Sequence, residues 1–143
     1  MNEIILNDAK LRPDLFLWNG ALDAEYLQEW IEDRNLELPE DMVEFWKATG
    51  GGNVFESEEL LGPTGAPEYG VDFDATNEWL KDAGMPDDYI AISSGSFLGA
   101  IRLSDKKYVL LDSIEFDVLA EYDTLDELYQ ETIRAEFASQ YDM

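Results

Sequence analysis

Leu38-Pro39-Glu40-Asp41-Met42-Val43-Glu44-Phe45-Trp46-Lys47-Ala48-Thr49-Gly50-Gly51-Gly52 is the stretch that decides how this chain folds. It predicts one helix with both ends marked. Pro39 suits the first helical position, where its missing N–H is not needed and its fixed φ already fits. Glu40 and Asp41 fill the first turn, where carboxylates meet the positive end of the helix dipole. Met42, Phe45, Trp46 and Thr49 recur at i, i+3, i+4 and i+7, one helical face that belongs in a core. Leu38 is placed to pack back on Met42 or Val43. The three glycines end the helix, because glycine takes the left-handed conformation of a helix C-terminus without strain. No residue here is catalytic in type.

Upstream, residues 3–6 read as an edge strand or a packed arm. Arg12-Pro13-Asp14 is a turn, residues 15–18 are a second short apolar segment, and Asn19-Gly20 is another turn. Asp23 is a fitting N-cap for a helix that puts Tyr26, Leu27, Trp30 and Ile31 on one face and stops at Asn35. Downstream, residues 53–61 read as one weakly alternating strand, although Glu56, Glu58 and Glu59 cannot all be buried. Gly62 to Gly70 is a loop, and Asp72-Phe73-Asp74 opens a helix carrying Trp79, Leu80 and Ala83 that Gly84 ends. Residues 89–93 are a strand, and residues 100–103 and 108–111 form a hairpin around Ser104-Asp105-Lys106-Lys107. Residues 116–122 are one more strand. Thr124 and Glu127 form a capping box for a last helix with Leu125, Leu128, Tyr129, Thr132, Ile133 and Phe137 at helical spacing. Early helices, later strands, a hairpin and a closing helix predict an α+β fold with an antiparallel sheet packed against helices.

The chain has 143 residues, within the usual range of one domain, so a single domain over 1–143 is expected. It contains no cysteine and no histidine. Disulfide and thiol chemistry are therefore absent, and so are the commonest general base and the commonest metal ligand. No apolar run reaches the ~18 residues of a membrane span. The acidic first ten residues lack the basic and apolar regions of a signal peptide, so a cytoplasmic location is expected.

Charge sets this composition apart. Nine Lys and Arg face thirty-three Asp and Glu, for a formal net charge of -24. Such a balance keeps a protein soluble and destabilises its compact state by self-repulsion. It opposes nucleic acid and anionic membranes, which bind cations, and favours a cationic protein partner. Sixteen of the acids lie in residues 1–71 and seventeen in 72–143, so the negative surface belongs to the folded body rather than to a tail.

Several acidic sets invite chemistry. Asp72, Asp74, Thr76 and Glu78 resemble the start of a calcium loop, but Asn77 stands where that loop needs glycine and Ala83 where it needs a bidentate Glu. A carboxylate pair for glycoside hydrolysis is compatible with so many acids, yet their abundance makes any one pair uninformative. No catalytic residue, metal site or cofactor is assigned. The segment from Glu56 to Asp74 is instead the expected partner surface. It holds Glu56, Glu58, Glu59, Glu68, Asp72 and Asp74 without a Lys or Arg, and it offers Tyr69 and Phe73 as exposed aromatic anchors beside those acids.

The motif Leu38-Pro39-Glu40-Asp41, a helix through Phe45 and Trp46, then Gly51-Gly52 resembles the opening of the SUKH superfamily. That superfamily includes the yeast Smi–Knr cell-wall regulators and many bacterial immunity proteins. The later order is similar too, with Pro86-Asp87-Asp88-Tyr89 entering a strand, a glycine-bearing link, a hairpin, another strand and a closing helix. The resemblance covers about residues 22–138. The link from Gly95 to Gly99 departs from it by lacking a run of acids and glycines. The resemblance implies a SUKH-like binding domain without catalytic activity, of the kind that neutralises a toxin, often a nuclease. Two alternatives stand beside it: a regulatory or scaffold domain of the same fold that binds another protein, and a carboxylate-dependent hydrolase.

Overall fold

A computed structural model of the chain describes residues 1–65 and 67–143. Helices α1 (Glu3–Leu11), α2 (Ala24–Asp33), α3 (Glu40–Thr49) and α4 (Phe73–Asp82) accompany two four-stranded antiparallel sheets. The first sheet has the order β1-β2-β3-β5, from β1 (Phe16–Trp18), β2 (Gly52–Val54), β3 (Glu58–Leu60) and β5 (Ser93–Ser94). The second has the order β4-β6-β7-β8, from β4 (Tyr89–Ala91), β6 (Leu98–Arg102), β7 (Lys107–Leu111) and β8 (Val118–Tyr122). Helix α5 (Leu125–Tyr129) continues through a π turn, Gln130–Arg134, into α6 (Ala135–Phe137). The α+β class and the antiparallel pairing read from the sequence both hold.

The central helix sits where its residues place it. Met42, Phe45, Trp46 and Thr49 are buried. Trp46 donates its indole N–H to the Leu61 carbonyl at 2.8 Å and meets Trp30 and Phe73 edge to face, with ring centroids 5.4 and 5.7 Å apart. Pro39 differs by one position. Its ψ of 146° is extended, so it caps the helix, and its carbonyl accepts from Met42 and Val43. Gly50 and Gly51 both have positive φ, 71° and 76°, and a Cβ on Gly52 would collide with the Leu17 carbonyl. The glycine run therefore ends α3 and also lets β2 lie close against β1.

Three readings are corrected. Residues 3–6 are helical, in α1, rather than an edge strand. No local side chain caps this helix, and Asn2 stands at φ 62°. Its first free N–H groups, on Ile4 and Ile5, are instead held by the Asp126 carboxylate at 3.0 and 3.1 Å. Residues 53–61 form a hairpin rather than one strand, with Val54 paired to Glu58. Its turn sets Phe55 and Glu56 at φ 50° and 66°, a left-handed pair that usually announces itself by glycine or asparagine. Residues 116–122 yield a strand only from Val118, because Phe116 takes φ 60° in a tight turn. Residues 89–94 run extended but serve both sheets. At the crossing, Ile92 donates to Gly99 and accepts from Leu61, each at 2.9 Å.

Substituting Trp46 by Ala should lower unfolding free energy by about 3–5 kcal/mol, as large-to-small changes in a packed core do. Denaturant unfolding measures this, and a variant as stable as the parent would mean that the aromatic cluster joining α2, α3 and α4 does not stabilise the core.

Candidate functional site

The segment from Glu56 to Asp74 runs from the β2–β3 turn to the first turn of α4. The structure divides its candidate residues into those that face solvent and those that build the fold. Glu58 is 0% exposed. Its carboxyl oxygens accept from the Ser96 amide at 2.8 Å, the Ser57 hydroxyl at 2.9 Å and the Ser96 hydroxyl at 3.2 Å. Among the described residues no Lys or Arg pairs with it, so three uncharged donors satisfy it. Gly95, at φ 121°, passes so close that a Cβ there would lie 2.7 Å from Glu58 Oε2. Glu58 is thus a pin that holds the Gly95–Ser96 link on β3, and it is not a surface contact.

Phe73 is also buried, 4% exposed, with its ring 5.0 Å from that of Trp30. It is a core residue and not an exposed anchor. Asp72 caps α4 by accepting from the Ala75 amide at 2.8 Å. Asp74 forms a fork with Arg34, at 3.0 Å to Nε and 2.6 Å to Nη2. Those bonds hold the Asp74 carboxyl below its usual range. The Arg34 guanidinium in turn lies 4.0 Å over the Trp30 ring. Asn77 stands where a calcium loop needs glycine. It is buried and bonds both polar groups of the Ala91 backbone, fastening α4 to β4. Among the described residues, no group of three or more acidic side chains is arranged to hold a metal.

Glu56 and Glu68 are exposed, and Glu59 and Tyr69 are half-buried. Glu56 accepts from the Tyr141 hydroxyl at 3.2 Å, and the Tyr69 amide is anchored on Asn19 at 2.7 Å. Glu59 sits opposite Ser94 across the β3–β5 pairing. The solvent-facing part of the expected site therefore consists of Glu56, Glu59, Glu68 and Tyr69, together with the exposed Asp74, which is paired with Arg34, and the half-buried cap Asp72.

Sequence reasoning passed over a neighbouring surface. Trp79 is 67% exposed, Leu119 61% and Ile114 78%. The signal for Trp79 lies in α4 itself. Phe73, Asn77 and Leu80 at i, i+4 and i+7 are the buried face, and Trp79 stands about 100° round the helix from Leu80. Ile114 and Leu119 carried no such signal, since they belong to a turn and an outer strand.

An acidic α+β domain with two antiparallel sheets, no assembled metal cluster among its described residues and a largely unpaired negative surface is the class that fold and site define. More narrowly, the chain belongs to the SMI1 / KNR4 family (SUKH-1), whose model matches residues 21–131. Helix α1 and strand β1 precede that match. No curated protein matches the chain. Among the described residues, no helix is long and apolar enough to cross a membrane.

Replacing Glu58 by Ala should destabilise the protein by roughly 1–3 kcal/mol, because the bonds that its buried carboxylate accepts from Ser57 and Ser96 are lost. Glu58→Gln keeps the volume and one acceptor oxygen and should cost less. Thermal melts of the two variants decide this, and equal melting temperatures for Glu58→Ala and the parent would contradict a structural role.

Proposed function

We propose that this chain is a one-domain, non-catalytic acidic binding protein of the cytoplasm that neutralises a cationic bacterial toxin. The observation that supports this most is charge left over after folding. Among the described residues, ion pairs engage eight of the thirty-three carboxylates. Six of the nine Lys and Arg are already committed to those pairs. Of the remaining acids, some, such as Glu58, Asp41 and Asp126, are held by uncharged donors within the fold, and the solvent-facing rest repel one another, which is a poor use of a surface unless a cation meets it. A nuclease that grips phosphates is cationic at its site, and an acidic cover is the complementary inhibitor. The SUKH resemblance implies the same role.

The surface residues Glu56, Glu59, Glu68 and Tyr69 belong to the proposed contact. Glu58, Phe73, Asp72 and Asp74 position it from beneath and beside it. Co-expression of the chain with each cationic product encoded beside its gene should restore growth of the arrested cells in one case. In that case Glu59→Lys with Glu68→Lys should slow association roughly severalfold at low salt without lowering the melting temperature. A stable complex with a harmless neighbour would make this a scaffold or regulatory domain. Absence of any rescue and any complex would overturn the proposal.

A further inference from the structure

Two shallow clefts adjoin on the side of the molecule formed by α4, the β5–β6 link and the β7–β8 turn. One, of about 300 Å³, lies between Trp79 and Thr76 on α4 and Ser94 and Phe97 on the link. The other, of about 240 Å³, lies between Phe97, Leu110 and Leu119. Phe97, Leu98 and Ser113 line both, so the two form one furrow. Exposed Trp79 stands at one end and Leu119 at the other, with Ile114 beside Ser113 on the turn.

Each wall is fixed before any partner arrives. Ser93 Oγ accepts from the Gly99 amide at 2.9 Å and pins the link from the far side, while Glu58 pins it at Ser96. Asp112 accepts from the amides of Ile114 and Glu115 at 3.0 and 2.5 Å and so shapes the turn. The Phe116 ring lies 3.7 Å from where a Cβ on Gly84 would stand, which seats this turn against the end of α4. Preformed walls reduce the ordering cost of binding.

The charge around the furrow has one sign. No Lys or Arg lines either cleft. Asp112, Glu115 and Asp117 edge the turn, Glu59 lies across from Ser94, and Asp72 is one helical turn from Thr76. Arg34 and Lys81 line a separate cleft beyond α4. An exposed Trp with aliphatic neighbours inside an acidic rim is the composition of a binding hot spot.

We propose that this furrow is the docking surface for a cationic protein that inserts an apolar or aromatic side chain flanked by Lys or Arg. It deepens the reading given above, on which it rests, by extending the contact from Glu59 across Ser94 to Trp79, Phe97 and Leu119. A second copy of this chain is the wrong occupant, because its formal net charge is also -24. Nucleic acid and anionic membrane are excluded by the same sign.

The test uses a synthetic peptide with a Trp-Leu centre between Lys and Arg pairs, titrated into the isotopically labelled full chain. The Trp79 indole N–H and the amides of Phe97, Ser113 and Leu119 should shift. Oligolysine of equal charge, and the same peptide with Glu in place of Lys and Arg, should each bind roughly tenfold or more weakly. Trp79→Ala with Leu119→Ser should weaken peptide binding by about tenfold or more while the melting temperature stays within a few degrees, since both side chains are exposed. Shifts confined to another face, or unchanged affinity in the double variant, would overturn the proposal. The same variant in the co-expression assay separates the two readings. If the parent restores growth and the variant does so equally, the furrow is wrong and toxin neutralisation stands. If the parent restores nothing, toxin neutralisation fails and the peptide titration still decides the furrow.

Discussion

Thirty-three carboxylates against nine Lys and Arg repel one another in any compact state of this chain, and the fold depends on where the inward-facing ones find donors. Asp41, in the first turn of α3, accepts from the Tyr108 hydroxyl at 2.6 Å and the Leu125 amide at 2.8 Å. One side chain thus ties the central helix to the second sheet and to the closing helix. Asp126, one residue further on, holds the N-terminus of α1, and Asp8 holds that helix's middle to Tyr129 at 2.7 Å and Arg134 at 2.8 Å. Burial first, and then the aspartates beside them, push the Tyr108 and Tyr129 hydroxyls far above a tyrosine's usual range, so both remain donors. With Glu58 on Ser96, these acids join segments distant in sequence, and apart from Arg134 every donor is uncharged. Bonds of this kind hold negative groups inside a negative protein without drawing on its few cations.

The same physics explains what was legible beforehand. Helices whose ends carry their own caps could be read locally: Asp23 for α2, Gly50 for α3, Asp72 for α4 and Thr124 for α5. Helix α1 could not, because its cap is Asp126, at the other end of the chain. The β2–β3 hairpin was hidden because Phe55 and Glu56 hold left-handed conformations through tertiary packing. Phe55 lies 5.3 Å from Phe16 and stacks on Phe137, and no glycine marks the turn. A strand over residues 89–93 was visible, but its division between two sheets depends on bonds to Leu61 and Gly99 that no local pattern announces.

For the site, composition revealed the sign of the surface and little about the address. Acids adjacent in sequence face opposite ways, as Glu58 and Glu59 do in consecutive positions of one strand, and strand periodicity alone leaves open which of the two is inside. Phe73 and Trp79 were both aromatic residues near acids. One fills the space between Trp30 and Trp46 and the other stands in water, a difference set by which face of α4 meets β4 through Asn77. The result is a division of labour among like groups. Inward acids and their neutral donors build a rigid frame, and outward acids leave an unpaired field around an apolar furrow.

That division carries a cost and a benefit that depend on salt in opposite directions. The most direct measurement is the melting temperature of the free protein, and its affinity for the Lys/Arg-flanked Trp-Leu peptide, in sodium chloride from about 0.01 M to about 0.5 M. Over that range the Debye length falls from about 30 Å to a few Å. Screening should raise the melting temperature by relieving repulsion within the fold and should weaken the peptide complex by dimming the same field. A melting temperature that stays flat or falls, or an affinity indifferent to salt, would contradict the account.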